Sequence, residues 1–107
     1  MHLRIGIIAA LLFSATGAFA AGNAKAGKAV YERSCRGCHG TNGVANPNIA
    51  KMFKVEIKPL GSADVQKMSD SELENVITHG KGKMPPVRTV TPAQAADVVA
   101  YIRTLKS

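Results

Sequence analysis

Five consecutive residues, from Cys35 to His39, constrain this chain more than any other feature because they read C-x-x-C-H. Cysteines three residues apart lie one helical turn apart on one side of a helix. Two such thiols can each form a thioether with one vinyl group of a haem. The adjoining imidazole is then placed to bind the iron from the proximal side. The motif therefore predicts one covalent haem c, attached through Cys35 and Cys38 and ligated by His39.

Other uses of a C-x-x-C motif fit the sequence less well. A thioredoxin-like dithiol requires a βαβ context, and no strand rich in Val and Ile leads into Cys35. A zinc site needs four ligands, and outside the motif residues 21–107 offer only His79 and seven carboxylates. A disulfide between Cys35 and Cys38 would close too small a loop to contribute much stability. Haem attachment is therefore the preferred interpretation.

Residues 1–20 have the pattern of a secretory signal peptide. Positive charge up to Arg4 precedes an apolar run over residues 5–13, and a small-x-small cleavage pattern ends at Ala20. The apolar run is shorter than the roughly 20 residues that span a bilayer, although an uncleaved membrane anchor stays open as the alternative. We expect cleavage after Ala20, a periplasmic location, and a single domain over residues 21–107.

The charge of the chain bears on its partners. Its 14 Lys and Arg residues exceed its 7 acidic residues and give a net charge of +7, and only Arg4 of these cations precedes residue 21. Such a surface favours redox-partner proteins with acidic docking surfaces, because opposite charge speeds encounter. Export argues against nucleic acid as the partner. Contact with a membrane is expected only through partner complexes or an uncleaved anchor, and a monomer is the default.

The pattern of caps and apolar residues predicts four helices and no strand, which is an all-α class. The first helix covers about residues 24–34 and leads into the C-x-x-C-H motif. A short helix is expected near residues 49–54, between loops over residues 40–48 and 58–64. A domain of this size has a marginal core. We therefore expect the helices to pack around the apolar haem, and the apoprotein to be largely unfolded.

The last two helices carry clear start signals. Ser69 and Glu72 have the spacing of a capping box, and so do Thr91 and Gln94, with a proline at the first helical position of the final helix. Gly80 is placed to end the helix that begins after Ser69.

Met84 is the candidate for the second axial ligand. It lies in the loop over residues 80–86, whose glycines allow close approach to a haem and whose prolines hold the backbone in place. Methionine is a ligand that raises the potential of a histidine-bound haem. Met52 and Met68 fit roles as apolar packing residues. His79 is the rival ligand, and it would give a bis-histidine centre.

Four segments together resemble a class I monohaem cytochrome c of the small bacterial periplasmic type. They are Ala26-Gly27-Lys28 with Tyr31, Cys35-Arg36-Gly37-Cys38-His39-Gly40, Gly80-Lys81-Gly82-Lys83-Met84-Pro85-Pro86, and Val98-Val99-Ala100-Tyr101-Ile102. The resemblance spans residues 23–105. It implies a small class I cytochrome c fold in which the N- and C-terminal helices cross, with Gly27 and Tyr31 against Val98 and Tyr101. It also implies a hydrogen bond from His39 to the carbonyl of Pro47.

The resemblance implies a one-electron carrier rather than an enzyme, one that passes electrons between periplasmic or membrane-bound redox partners. Four cations are expected to form a basic collar for docking: Arg36, Lys81, Lys83 and Arg88. A haem-based ligand sensor or peroxidase-like enzyme is one alternative, in which His79 and Arg88 would be the distal polar groups. A cytochrome subunit of a larger redox complex, or a tethered carrier, is the other.

Overall fold

Six helices follow one another, with no strand among residues 22–106, in a computed structural model that describes these residues. They are α1 (Ala24–Ser34), α2 (Arg36–His39), α3 (Pro47–Phe53), α4 (Ala63–Gln66), α5 (Asp70–His79) and α6 (Pro92–Arg103). The predicted all-α class is confirmed. The signal peptide expected over residues 1–20 lies outside the described residues. Within residues 22–106, no helix has the length and apolar character needed to cross a bilayer.

Three helices begin where the sequence predicts, because side-chain caps fix their first turns. The Asn23 side chain accepts the Ala26 N–H at 3.0 Å and starts α1. Ser69 and Glu72 form a complete capping box on α5, and Thr91 forms another with Gln94 on α6. The local sequence is therefore sufficient to predict where these three helices begin.

The shorter helices depart from the prediction. Helix α3 begins at Pro47 rather than near residue 49, because the Asn46 side chain accepts the Asn48 N–H at 3.0 Å and proline is favoured at the first helical position. Helix α4 begins inside a segment predicted as loop. Its only side-chain cap is a 3.5 Å contact between the Ser62 hydroxyl and the Val65 N–H. Elements of four residues leave too little periodicity to be predicted.

Helices α1 and α6 cross closely, as the resemblance implies. A Cβ added to Gly27 would collide with the backbone carbonyl of Asp97, so the absence of a side chain allows the contact. The rings of Tyr31 and Tyr101 fill the space beside it, with their centroids 5.1 Å apart. The buried core continues from this crossing through α6 to α5, and its members are Val30, Tyr31, Leu73, Ile77, Val90, Ala95, Val98, Val99 and Ile102.

The segment from Leu60 to Asp70 is tied to α6 by two polar side chains. Gln66 donates to the carbonyls of Leu60 at 2.9 Å and Ile102 at 3.0 Å. The Arg103 guanidinium donates to the carbonyls of Gln66 at 3.0 Å and Met68 at 2.6 Å, and it also pairs with Asp70. These bonds hold α4 and the turns on either side of it against the C-terminal helix.

Candidate functional site

An apolar cleft opens beside the α1–α6 crossing. It has a volume of about 150 Å³. Cys35, His39 and Met84 come from separate parts of the chain and all line it. The other lining residues are mostly apolar: Tyr31, Leu60, Val65, Met68, Leu73, Val76, Ile77, Lys81, Val98 and Ile102. The fold thus brings together a thiol, an imidazole and a thioether within apolar walls.

The C-x-x-C-H motif begins at the turn residue Cys35 and continues as helix α2. Cys35 ends α1 by donating its N–H to the Tyr31 carbonyl at 2.8 Å, and it also precedes α2. Cys35 is half-buried, Cys38 is exposed, and both thiols are free. Burial, with a further contribution from Cys38, raises the pKa of Cys35 to about 11. A thioredoxin-like dithiol belongs to a βαβ context, and residues 22–106 contain no strand, so the fold argues against the redox-dithiol alternative.

His39 is the last residue of α2 and faces the cleft. Burial lowers the pKa of its imidazole, which favours the neutral form that binds metals. Its Nδ1 atom is buried and has no hydrogen-bond partner among the described residues. The hydrogen bond that the resemblance implies to the Pro47 carbonyl is therefore not formed in this structure, in which Pro47 belongs to the first turn of α3.

Met84 is presented to the cleft by a tight turn. The backbones of Lys81 and Met84 exchange two hydrogen bonds of 3.0 Å, and the intervening Gly82 has a φ of +56°. Gly80, with a φ of +78°, ends α5 just before this turn. Any Cβ at Gly80 would meet the Met84 carbonyl oxygen at 2.6 Å. The glycines are thus required by backbone geometry as well as by flexibility.

The other candidate ligands are placed differently. His79 is exposed, lies outside the residues that line the cleft, and has its Nδ1 atom 2.9 Å from the Thr78 hydroxyl. Met52 is 65% exposed and also lies outside the cleft. Met68 does line the cleft, as expected for an apolar residue near the cofactor. Of the histidine and methionine alternatives to Met84, only Met68 shares its cavity.

Four exposed cations belong to the predicted basic collar, and none of them takes part in the three ion pairs found among residues 22–106. Arg36 follows the first cysteine of the motif, while Lys81 and Lys83 flank Gly82 in the turn that presents Met84. Arg88 lies further along the same loop. Lys81 also lines the cleft, which the sequence did not predict because nothing distinguishes it from its neighbouring lysine.

Comparison with known proteins assigns the family. A family model described as cytochrome c oxidase, cbb3-type, subunit III matches residues 22–102. The chain belongs to this family of c-type cytochromes. The cytochrome is 32% identical over 72 residues to cytochrome c-551 of Bacillus subtilis (strain 168), a match that covers 65% of this chain and 54% of that protein. The chain thus spans about half the length of this curated relative.

A solved structure agrees with the family. The cytochrome superposes on the KustC0563 c-type cytochrome with a TM-score of 0.65 and 25% sequence identity, over 76% of this chain and 98% of that chain. The cytochrome is therefore a small monohaem protein of class I with a covalently bound haem c, from a family of electron-transfer proteins. Its own residues fit that cofactor, because the cleft combines apolar walls with thiol, imidazole and thioether groups.

Proposed function

We propose that this cytochrome is a one-electron carrier whose haem iron is ligated by His39 and Met84. One observation supports this proposal above the rest: both residues line the same apolar cleft as Cys35, whereas the rival His79 lies outside it. Met84 is also held by a turn of defined geometry, with two backbone hydrogen bonds to Lys81. A side chain held in this way suits a ligand that stays on the iron better than one that a substrate must displace.

Each residue of the site has a separate task under this proposal. When bound, haem c supplies a one-electron centre whose potential depends on its axial ligands, burial and hydrogen bonding. Cys35 and Cys38 would hold it covalently, and His39 and Met84 would occupy both axial positions, which leaves none for a substrate. The apolar residues of the cleft exclude water and favour a ligand set that stays in place during transfer.

The visible spectrum tests the ligand assignment. The mature protein, made in a host with haem-attachment machinery, should show covalent haem and the weak far-red methionine–iron band in its oxidised form. Met84→Ala should abolish this band. Two control variants should retain the band. Met68→Ala removes the other methionine that lines the cleft, and His79→Ala removes the rival ligand. A native protein without the band at neutral pH would contradict methionine ligation.

Docking is proposed to occur through the basic collar of Arg36, Lys81, Lys83 and Arg88, on a periplasmic redox partner with an acidic surface. Because these cations are exposed and lack ion-pair partners among the described residues, they are available to a partner. Lys83→Glu should slow electron transfer to the partner at low salt, and added salt should reduce the difference. Lys25→Glu, on the exposed side of α1, is the matched control. A transfer rate independent of salt would contradict the collar.

A second candidate function is a cytochrome subunit of a larger redox complex. It is favoured by the description of the matching family, which names subunit III of a cbb3-type cytochrome c oxidase. Purification from the native source separates the two. A carrier should be recovered free, as a monomer that begins at residue 21, whereas a subunit should co-purify with other redox proteins. The sensor or peroxidase-like alternative gains no support, because His79 and Arg88 do not line the cleft.

A further inference from the structure

Tyr31 connects the buried helix crossing to the haem-attachment motif. Its side chain is fully buried, at 0% exposure, and it lines the cleft. Its hydroxyl donates to the carbonyl oxygen of Gly40 at 2.6 Å and lies 3.3 Å from the carbonyl oxygen of His39. These two residues are the last residue of α2 and its C-cap. A side chain on α1 thus holds the end of the helix that carries the proximal ligand.

Helix α2 depends on such an outside contact. It has only four residues, which is too short for a helix to be stable by itself. The last carbonyls of any helix lack partners within it. In α2, the Asn46 N–H satisfies the Cys38 carbonyl at 3.1 Å, and the Tyr31 hydroxyl serves the two carbonyls that follow.

The imidazole of His39 has no comparable anchor of its own. Its Nδ1 atom, which usually fixes the orientation of a metal-binding histidine by a hydrogen bond, has no partner among the described residues. The placement of the ring then follows from the direction in which the His39 backbone projects its side chain. That backbone is the one that Tyr31 restrains.

We propose that Tyr31 is a positioning residue for the proximal ligand, whose hydroxyl fixes the backbone at His39 and Gly40 and thereby the orientation of the His39 imidazole. The proposal rests on the proposed function, in which His39 binds the iron. It assigns Tyr31 an effect on the electronic properties of the bound haem, which a residue that only fills the core would not have.

Two single-atom deletions separate positioning from packing. Tyr31→Phe removes the hydroxyl and keeps the ring contact with Tyr101. Tyr101→Phe is the matched control, because its ring belongs to the same pair but its hydroxyl has no hydrogen bond among the described residues. Both holoproteins are compared with the native holoprotein by their reduction potential and by the hyperfine-shifted proton resonances of the axial histidine in the oxidised form.

We expect Tyr31→Phe to raise the potential and to move the histidine resonances, because a less firmly oriented imidazole stabilises ferric iron less well. Tyr101→Phe should change neither. Unchanged potential and resonances in Tyr31→Phe, even with a lower melting temperature, would overturn the proposal and leave Tyr31 a packing residue. If the shifted resonances of the native protein do not belong to His39, it is the proposed function that fails.

A second measurement covers the case in which Tyr31→Phe does not retain haem. The chain has two tyrosines, so in Tyr101→Phe the residue Tyr31 is the sole tyrosine and can be replaced uniformly by 3-fluorotyrosine. Fluorination makes the hydroxyl a stronger donor without removing it. The histidine resonances should then move in the labelled protein relative to unlabelled Tyr101→Phe. Coincident resonances would count against positioning by the hydroxyl.

Discussion

The α1–α6 crossing and the apolar cleft of this small domain are packed in different ways. At the α1–α6 crossing, protein atoms meet protein atoms: Tyr31 and Val98 are fully buried, and Gly27 touches the backbone of α6. Around the cleft, apolar side chains of α4, α5 and the loop of Met84 face one another, among them Val65, Leu73 and Ile77. The crossing is therefore packed largely by the chain itself, although Tyr31 and Val98 also line the cleft, whereas we expect the cleft walls to need the haem that the C-x-x-C-H motif attaches.

Removal of the haem should have the largest effect, because it affects the whole cleft at once. A Cys35→Ser/Cys38→Ser protein, which cannot form thioethers, should lose most of its helical circular dichroism. The amides that remain protected from hydrogen exchange should lie in α1 and α6, where packing needs no cofactor. Native protection in α4 and α5, which line the cleft, would show instead that the cleft side is stable without the haem.

The crossing itself should be broken by one added side chain. In Gly27→Val the new Cβ collides with the Asp97 carbonyl, so the helices must separate, at a cost of about 3 kcal/mol in the free energy of unfolding. Gly37→Ala is the control, since a Cβ there meets nothing within 4 Å and α2 gains a better helix former. Denaturation of both holoproteins measures the difference. Equal stabilities would mean that the crossing tolerates separation.

The sequence predicted the starts of the crossing helices well because the signals that start them are local. Asn23 and the capping boxes at Ser69 and Thr91 act through residues near them in the chain. Gly27 instead contacts Asp97 on α6, and its place in the crossing was expected from the family resemblance. The predicted helix starts are accordingly found in the structure.

The cleft was predicted only in part, because its walls depend on contacts between distant segments. The C-x-x-C-H motif and the Met84 loop mark two of its sides. Nothing in the local sequence indicates that Arg103 reaches the Met68 carbonyl, 35 residues away, or that Gln66 reaches Ile102. Helix α4 was missed for the same reason, since tertiary hydrogen bonds rather than helical periodicity maintain the segment that contains it.

Loss of the Arg103 hydrogen bonds to the cleft wall should have an intermediate effect on stability. Arg103→Met keeps the aliphatic stem but removes the donors to Gln66, Met68 and Asp70, and should cost about 2 kcal/mol. Lys58→Met removes another ion pair, whose two side chains are 54% and 57% exposed, and should leave stability unchanged. Thermal unfolding of the two holoproteins tests this order. A larger loss of stability in Lys58→Met than in Arg103→Met would show that the exposed ion pair contributes more than the bonds of Arg103.

Removal of a helix cap should have the smallest effect on stability. The loss should still be larger at the α1–α6 crossing than at the cleft. Thr91→Ala removes one half of the α6 capping box, in which the hydroxyl lies 3.2 Å from the Gln94 N–H, and should cost about 1 kcal/mol. Ser62→Ala removes the 3.5 Å contact at α4, a longer bond on a helix of four residues, and should cost about 0.5 kcal/mol or less. Chemical denaturation resolves such differences when the slopes are equal. If Ser62→Ala cost more stability than Thr91→Ala, the cap of α4 would hold the cleft wall in place, and the hydrogen bonds of Gln66 and Arg103 would be secondary to it.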